Sequence, residues 1–284
     1  MKVQFWGVRG SIPVPGPQTS RYGGNSSCVE VTHDDAVLIL DAGTGARALG
    51  RDLFSRATRE LDMLFTHFHM DHLFGFPFFG PVYAPGYAVR VSVPAFSEEE
   101  AKERVSRYSN GVYHPVRLRE MPADVSFHPI QPGRPFERGP FTVTGVRLNH
   151  PGGSVGYRIE ASGRVFVHLT DTAPLARPGE GAAVGEAPPA AEQVVLDAMK
   201  DADVVSFDTM FSFDEYLEKM TWGHAYPEYA VALCRAAGVK HLVLFHHAPD
   251  ASDDELDALA AEWADHEAPR VTLAREGEVV DLEG

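Results

Sequence analysis

Leu61-Asp62-Met63-Leu64-Phe65-Thr66-His67-Phe68-His69-Met70-Asp71-His72 decides the fold: a hydrophobic strand runs directly into three imidazoles and a carboxylate within six residues. Successive side chains of an extended chain point to opposite faces, so His67 and His69 share one side. A turn then folds Asp71 and His72 back toward a second position. Imidazole nitrogen and carboxylate oxygen are donors that zinc takes readily, so this spacing points to metal. The competing reading is a loop that is His-rich by accident.

Working outward, three further candidates share one property. His150, Asp171 and His246 each sit at or just after the end of a predicted strand, at 139–147, 165–170 and 241–245. Taken singly, each is a bland polar loop residue. Together with the cluster they complete two metal shells, because a rigid sheet edge fixes spacings that binding would otherwise have to organise. Other predicted strands cover 2–6, 27–32, 36–40, 61–66, 89–93, 154–160 and 203–208, with a hairpin turn at Thr32-His33-Asp34-Asp35. Ala48, Leu49, Leu53 and Phe54 have helical spacing, Ser97 caps an acid-rich helix start, and helices are expected at 190–200, 227–237 and 253–265. The stretch 108–138 gives no clear pattern. The Pro/Gly/Ala-rich segment 174–190 reads as a lid or a linker.

The chain of 284 residues is 44% hydrophobic, enough for a sizeable core, and is expected to form a single domain over 1–284. Forty acidic against 25 basic residues give a net charge of −15, which repels nucleic acid and anionic membrane. No run reaches membrane-spanning length, and the N-terminus enters a strand at once, so a cytoplasmic protein is expected. Cys28 and Cys234 lie in apolar segments without paired spacing, as buried reduced thiols.

The order H-x-H-x-D-H at 67–72, His in Asn149-His150-Pro151-Gly152-Gly153, Asp in Leu169-Thr170-Asp171-Thr172 and His in Leu244-Phe245-His246-His247 resembles the metallo-β-lactamase superfamily. Gly7-Val8-Arg9-Gly10-Ser11, residues 21–27, Asp41-Ala42-Gly43-Thr44-Gly45, residues 150–159 and Gly223-His224 look most like its phosphodiesterase branch, with tRNase Z, phosphoribosyl cyclic-phosphate and cyclic-nucleotide phosphodiesterases. The resemblance implies an α/β (α+β) fold, the four-layer αββα sandwich. It also implies two divalent metals, zinc ahead of manganese or iron(II): one on His67, His69 and His150, the other on Asp71, His72 and His246, bridged by Asp171. His246 is preferred to its neighbour His247. His224 is the expected leaving-group acid, Asp208 its support, and Asp71 a catalytic residue that orients the nucleophile or collects its proton. Asp41 is a further supporting candidate or simply a turn residue.

Two dications outweigh the carboxylates of Asp71 and Asp171 and a bridging hydroxide, so an anionic phosphoester is drawn in locally, with that hydroxide as nucleophile. The first expectation is therefore hydrolysis of a small, cyclic phosphodiester. Alternatives are a tRNase Z-like endoribonuclease, for which no Lys/Arg-rich insertion is seen, a lactone or thioester hydrolase, and a non-enzymatic metal-bound sensor. Long nucleic acid is disfavoured as a partner, and similar proteins suggest a homodimer. Phe74, Phe76, Phe78 and Phe79 form either a nucleobase platform or core packing, and Asn25, Ser26 and Ser27 lie near the site or serve as turn residues.

Overall fold

A computed structural model describes residues 1–175 and 190–283, so most of the expected loop at 174–190 lies outside the described residues. The first half contains β1 (Lys2–Gly7), β2 (Cys28–His33), β3 (Ala36–Leu40), α1 (Ala46–Leu53), β4 (Glu60–Leu64), the single-turn α2 (Met70–Leu73), β5 (Ala88–Pro94), α3 (Glu98–Ser106) and β6 (Asp124–Ile130). The second contains β7 (Pro135–Arg138), β8 (Phe141–Leu148), β9 (Ser154–Ala161), β10 (Arg164–Leu169), α4 (Ala190–Met199), β11 (Val204–Asp208), α5 (Phe213–Glu218), α6 (Pro227–Ala237), β12 (His241–Phe245), α7 (Asp253–Glu262), β13 (Arg270–Leu273) and β14 (Val279–Asp281).

These strands form two seven-stranded sheets, ordered β14-β1-β2-β3-β4-β5-β6 and β13-β12-β11-β10-β9-β8-β7. Strands β3 to β6 run parallel in the first, as do β10 to β13 in the second, with antiparallel pairs completing each. Three apolar clusters mark the boundaries between four layers. Val3, Phe5, Leu38 and Leu40 meet Tyr157, Ile159, Phe166 and Phe245 between the sheets. Ile39, Met63 and Val91 pack outward with Leu49 and Leu53 of α1 and with Ala101 and Val105 of α3. Val167, Val205, Leu242 and Leu244 pack with Val195 and Met199 of α4, Val231 and Cys234 of α6, and Leu256 of α7. The expected αββα sandwich is what forms. Central strands are buried on both faces, and this is why β3 reads as an unbroken Val37-Leu38-Ile39-Leu40 run rather than an alternation.

Helix ends are set locally. Ser97 accepts a hydrogen bond from Glu100 N at 3.2 Å to start α3, and Ser252 with Glu255 forms a capping box on α7. Pro227 occupies the first turn of α6, and Gly238, with φ of 70°, terminates it. Phe76 and Phe79 are buried beneath α1 and Phe74 lies against Tyr108, as packing, whereas Phe78 is exposed beside His114. No described helix is long and apolar enough to cross a membrane. Phe166→Ala removes a fully buried ring from the inter-sheet layer. The expected cost is about 3–5 kcal/mol in a denaturant titration, and a loss under about 1 kcal/mol would contradict this packing.

Candidate metal centre

Strands β4, β8, β10, β11 and β12 all finish at one edge of the sandwich, and the chain leaving them carries His67, His150, Asp171, Asp208 and His246. That edge lies at the carboxyl ends of parallel strands, where open α/β sheets gather their ligands. His69 precedes α2, whose one turn carries Asp71 and His72. The seven residues singled out as ligand candidates come together in two groups: His67, His69, His150 and Asp171, and Asp71, His72, Asp171 and His246. Within each group the donor atoms all lie within 4.8 Å of one another.

The two oxygens of Asp171 face different groups. Oδ2 lies 3.6 Å from His67 Nε2 and 3.5 Å from His150 Nε2. Oδ1 lies 3.1 Å from both His72 Nε2 and His246 Nε2. Asp71 Oδ2 closes the second group at 3.1 Å from His72 Nε2 and 3.3 Å from His246 Nε2. His69 Nδ1 meets His150 Nε2 at 3.0 Å. Zinc–donor bonds of roughly 2.0–2.1 Å give tetrahedron edges of about 3.3 Å, which these separations bracket. The buried Nε2 atoms of His67 and His72 have no hydrogen-bond partner, although carboxylate oxygens surround them. Lone pairs facing lone pairs need positive charge between them, so the donor set fits a pair of cations.

Opposite ring atoms explain the aim. His72 Nδ1 donates to Asp41 Oδ2 at 2.7 Å and His150 Nδ1 to Gly223 O at 2.9 Å. Thr66 Oγ1 donates to Asp41 Oδ2 at 2.9 Å and accepts from His67 Nδ1 at 3.0 Å. Such partners fix the tautomer and leave Nε2 free to ligate. Asp41 therefore does more than form a turn. The opening Gly7–Ser11 segment is explained too: Gly10 N donates to His247 O at 3.0 Å, and Ser11 N reaches Asp71 Oδ2 at 2.8 Å. Buried Arg9 pins this loop by donating to Gly23 O at 2.8 Å and to Ala248 O at 3.0 Å. Ser11 and Gly223 stand in the motifs that carry the resemblance, but with no role of their own; both act through backbone groups, which residue type does not announce. Asn25 and Ser26 brace the 41–45 turn through Thr44, at 3.0 Å each.

His247 turns away and donates from Nε2 to Ala274 O at 2.8 Å, while burial lowers its pKa to about 4. His246 alone of the pair joins the cluster. His224 Nδ1 donates to Asp208 Oδ2 at 2.8 Å, and its ring stacks on His246 with centroids 5.1 Å apart. Asp208 is itself held by Thr172 N at 3.0 Å and Met210 N at 3.1 Å. Ser11, Asp41, Asp171 and His246 have φ values of 60°, 60°, 58° and 64°, a left-handed conformation that costs non-glycine residues about 1–3 kcal/mol each. The surrounding packing holds that strain at the site.

Burial disfavours charge on His72, but Asp71, Asp171 and Asp41 outweigh it and hold its pKa well above the ordinary value. Burial likewise pushes Asp171 up, and His246, His72 and His67 more than reverse it. His67 is driven the other way, well below its usual value, by burial and then by the neighbouring His72 charge. Without a cation the cluster therefore keeps a proton on His72. Metal uptake near neutral pH is expected to release protons, and affinity to fall on acidification, read by calorimetry in buffers of different ionisation enthalpy. Uptake with no proton release and no pH dependence would refute this. Gly223 has φ of 92°, and a Cβ there would sit 2.3 Å from His150 Nδ1. Gly223→Ala is accordingly expected to weaken metal binding by about 10–100-fold in a chelator competition, with the fold retained by circular dichroism.

Residues 37–247 match the family described as "Beta-lactamase superfamily domain". The chain is 26% identical to a protein named Ribonuclease Z from Haloarcula marismortui, over 98% of this chain and 95% of that one. Among solved structures, it superposes on the metallo-β-lactamase fold protein YhfI from Bacillus subtilis with a TM-score of 0.69 at 18% identity, covering 98% of each chain. Human tRNase Z, short form, gives 0.68 at 18% identity and covers 100% of each. With the family matched across the whole run from β3 to His247, the chain belongs to the β-lactamase superfamily, as a hydrolase whose candidate metal-binding His/Asp cluster joins the two halves of the sandwich.

Proposed function

We propose that this protein is a metal-dependent phosphodiesterase acting on a small, cyclic phosphodiester. The observation that carries the reading is Asp171 facing both donor groups, with the His224–Asp208 pair beside them. In this reading His67, His69 and His150 hold one metal, Asp71, His72 and His246 the other, and Asp171 bridges. Zinc suits nitrogen-rich, four-coordinate sets best, ahead of manganese or iron(II). Bound there, a pair of such ions supplies a water acidified to near neutral pKa and a positive field for phosphoryl oxygens. Everything else falls to the chain. Asp71, oriented by Ser11 N, takes up the proton of the attacking water. His224 spends Nδ1 on Asp208, which leaves Nε2 to hand a proton to the departing oxygen. Burial would depress the His224 pKa, yet the charge and hydrogen bond of Asp208 outweigh it and raise the value to about 9. The acid is thus loaded at neutral pH.

The reading treats residues 1–284 as one domain, supported by β14 pairing with β1 so that the last strand joins the first sheet. It places the protein in the cytoplasm, supported by two free, buried cysteines, and treats a homodimer as the assembly. A second reading is tRNA 3′-end processing, favoured by relatives named Ribonuclease Z at 22–26% identity. The net charge of −15 and the lack of a Lys/Arg-rich insertion in the sequence weigh against a long RNA.

The deciding experiment is metal-dependent turnover of bis(p-nitrophenyl) phosphate, 2′,3′- and 3′,5′-cyclic nucleotides, precursor tRNA and a lactone. Cyclic phosphates are expected to be substrates. Turnover of precursor tRNA or the lactone without them would move the protein to another class. His224→Ala is expected to lose about 10²–10⁴-fold in kcat on poor alkoxide leaving groups and far less on p-nitrophenolate. The wild-type kcat/KM should fall along an alkaline limb below pH of about 9, because nearby cations make the imidazolium easier to deprotonate. Asp208→Asn should move that limb to lower pH, and an unmoved limb would remove His224 from this role.

A further inference from the structure

A cleft of about 650 Å³ opens beside His67 and His69, between the β5–α3 corner and the β6–β7 and β8–β9 turns. Its size is that of a small-molecule site. Phe68, placed between two ligand candidates, forms part of the wall, and the Arg104 guanidinium lies over its ring at 5.1 Å. Arg104 is fixed there by Glu100 and by donation to Pro94 O at 3.2 Å, so a flat cation is held ready on an aromatic support. Phe96 stands on the lip and, at 92%, is the most exposed large apolar side chain among the described residues. Ile130 and Val155 add apolar wall. Arg147 completes the lining; it is exposed, and among the described residues no carboxylate lies within ion-pair distance of it. The lining's other guanidinium, Arg104, is paired with Glu100, which leaves Arg147 as the lining cation available to an anion in a chain of net charge −15.

We propose that this cleft is a nucleoside subsite: with the phosphodiester at the metal centre, the base of an attached nucleoside stacks between Phe96 and the Arg104–Phe68 platform, and Arg147 meets the substrate's negative charge. Bases stack on aromatic rings and guanidinium planes regardless of sequence, because each has a π-face. The inference rests on the phosphodiesterase reading above and names its substrate class as a nucleotide. It also moves the aromatic platform from the 74–79 run, where Phe76 and Phe79 are spent on packing, to residues 68 and 96.

The test compares two esters with the same leaving group, thymidine 5′-(p-nitrophenyl phosphate) and methyl p-nitrophenyl phosphate, on the zinc-loaded protein. The nucleoside is expected to lower KM by about tenfold or more. Phe96→Ala should erase most of that advantage and leave the methyl ester unchanged, whereas Arg147→Gln should raise KM several-fold for both esters at constant kcat. Equal KM values in the wild type, or a nucleoside advantage that survives Phe96→Ala, would overturn the subsite while the phosphodiesterase reading stands. If neither ester turns over, the phosphodiesterase reading rests on the cyclic phosphates above, and calorimetry with thymidine 5′-monophosphate decides the cleft alone. Binding weakened about tenfold by Phe96→Ala upholds it; no binding, or binding the substitution leaves untouched, overturns it.

Discussion

Two carboxylates and a ring of imidazole lone pairs crowd one buried space, and only positive charge makes that arrangement stable. Asp171 is 2% exposed and faces nitrogen on both sides; the Nε2 atoms of His67 and His72 have no hydrogen-bond partner. Uncompensated, such a cluster costs several kcal/mol, since buried polar atoms are stripped of water without replacement. The rest of the fold keeps these atoms from relaxing apart. Strand ends from both sheets deliver them, left-handed backbone at Asp171 and His246 turns them inward, and hydrogen bonds on the opposite ring atoms lock their direction.

Two further buried carboxylates carry this constraint outward, one from each sheet. Asp41, after β3, holds Thr66 N, Thr66 Oγ1 and His72. Asp208, ending β11, holds Thr172 N, Met210 N and His224. Each grips the backbone beside one donor segment and one imidazole, so each sheet fixes its own share of the site. The long-range link is the opening loop, where Arg9 and Gly10 tie residues 8–11 to the chain after β12 and bring Ser11 N to Asp71.

How much of this the sequence disclosed follows from where burial falls. The ten inner strands announce themselves as apolar runs, and their predicted bounds agree with the structure to within a few residues. The four that escaped notice, β6, β7, β13 and β14, are the four edges of the two sheets. Edge strands are short or half-exposed and tolerate proline, as at Pro129 and Pro135, so neither hydrophobicity nor alternation marks them. At the site, residues acting through rare side chains were legible: His and Asp at strand ends declare their chemistry by type. Ser11 and Gly223 act through a backbone amide and a carbonyl, which no residue type predicts, and Thr66 through a hydroxyl too common to single out. The Phe74–Phe79 run illustrates the converse, because aromatic residues signal a surface to be buried without saying whether protein or ligand will cover it.

The charge of the whole chain and the charge of the site have opposite consequences for a substrate. At −15 the surface repels any phosphate from a distance, and at physiological salt that repulsion is screened beyond about 8 Å. Inside that range local arrangement governs. Asp208 is answered by a charged His224, whereas His72, once it gives Nε2 to a metal, faces Asp41 as a neutral imidazole. Asp41, Asp71 and Asp171 would then stand against a pair of dications, leaving a small positive excess at the strand-end edge before a hydroxide is counted. A compact anion can enter such a field with its whole charge, whereas a long polyanion must lay most of its phosphates on the repulsive surface around it. For the small-ester reading proposed above, selectivity against a long polyanion would thus follow from where the charge sits.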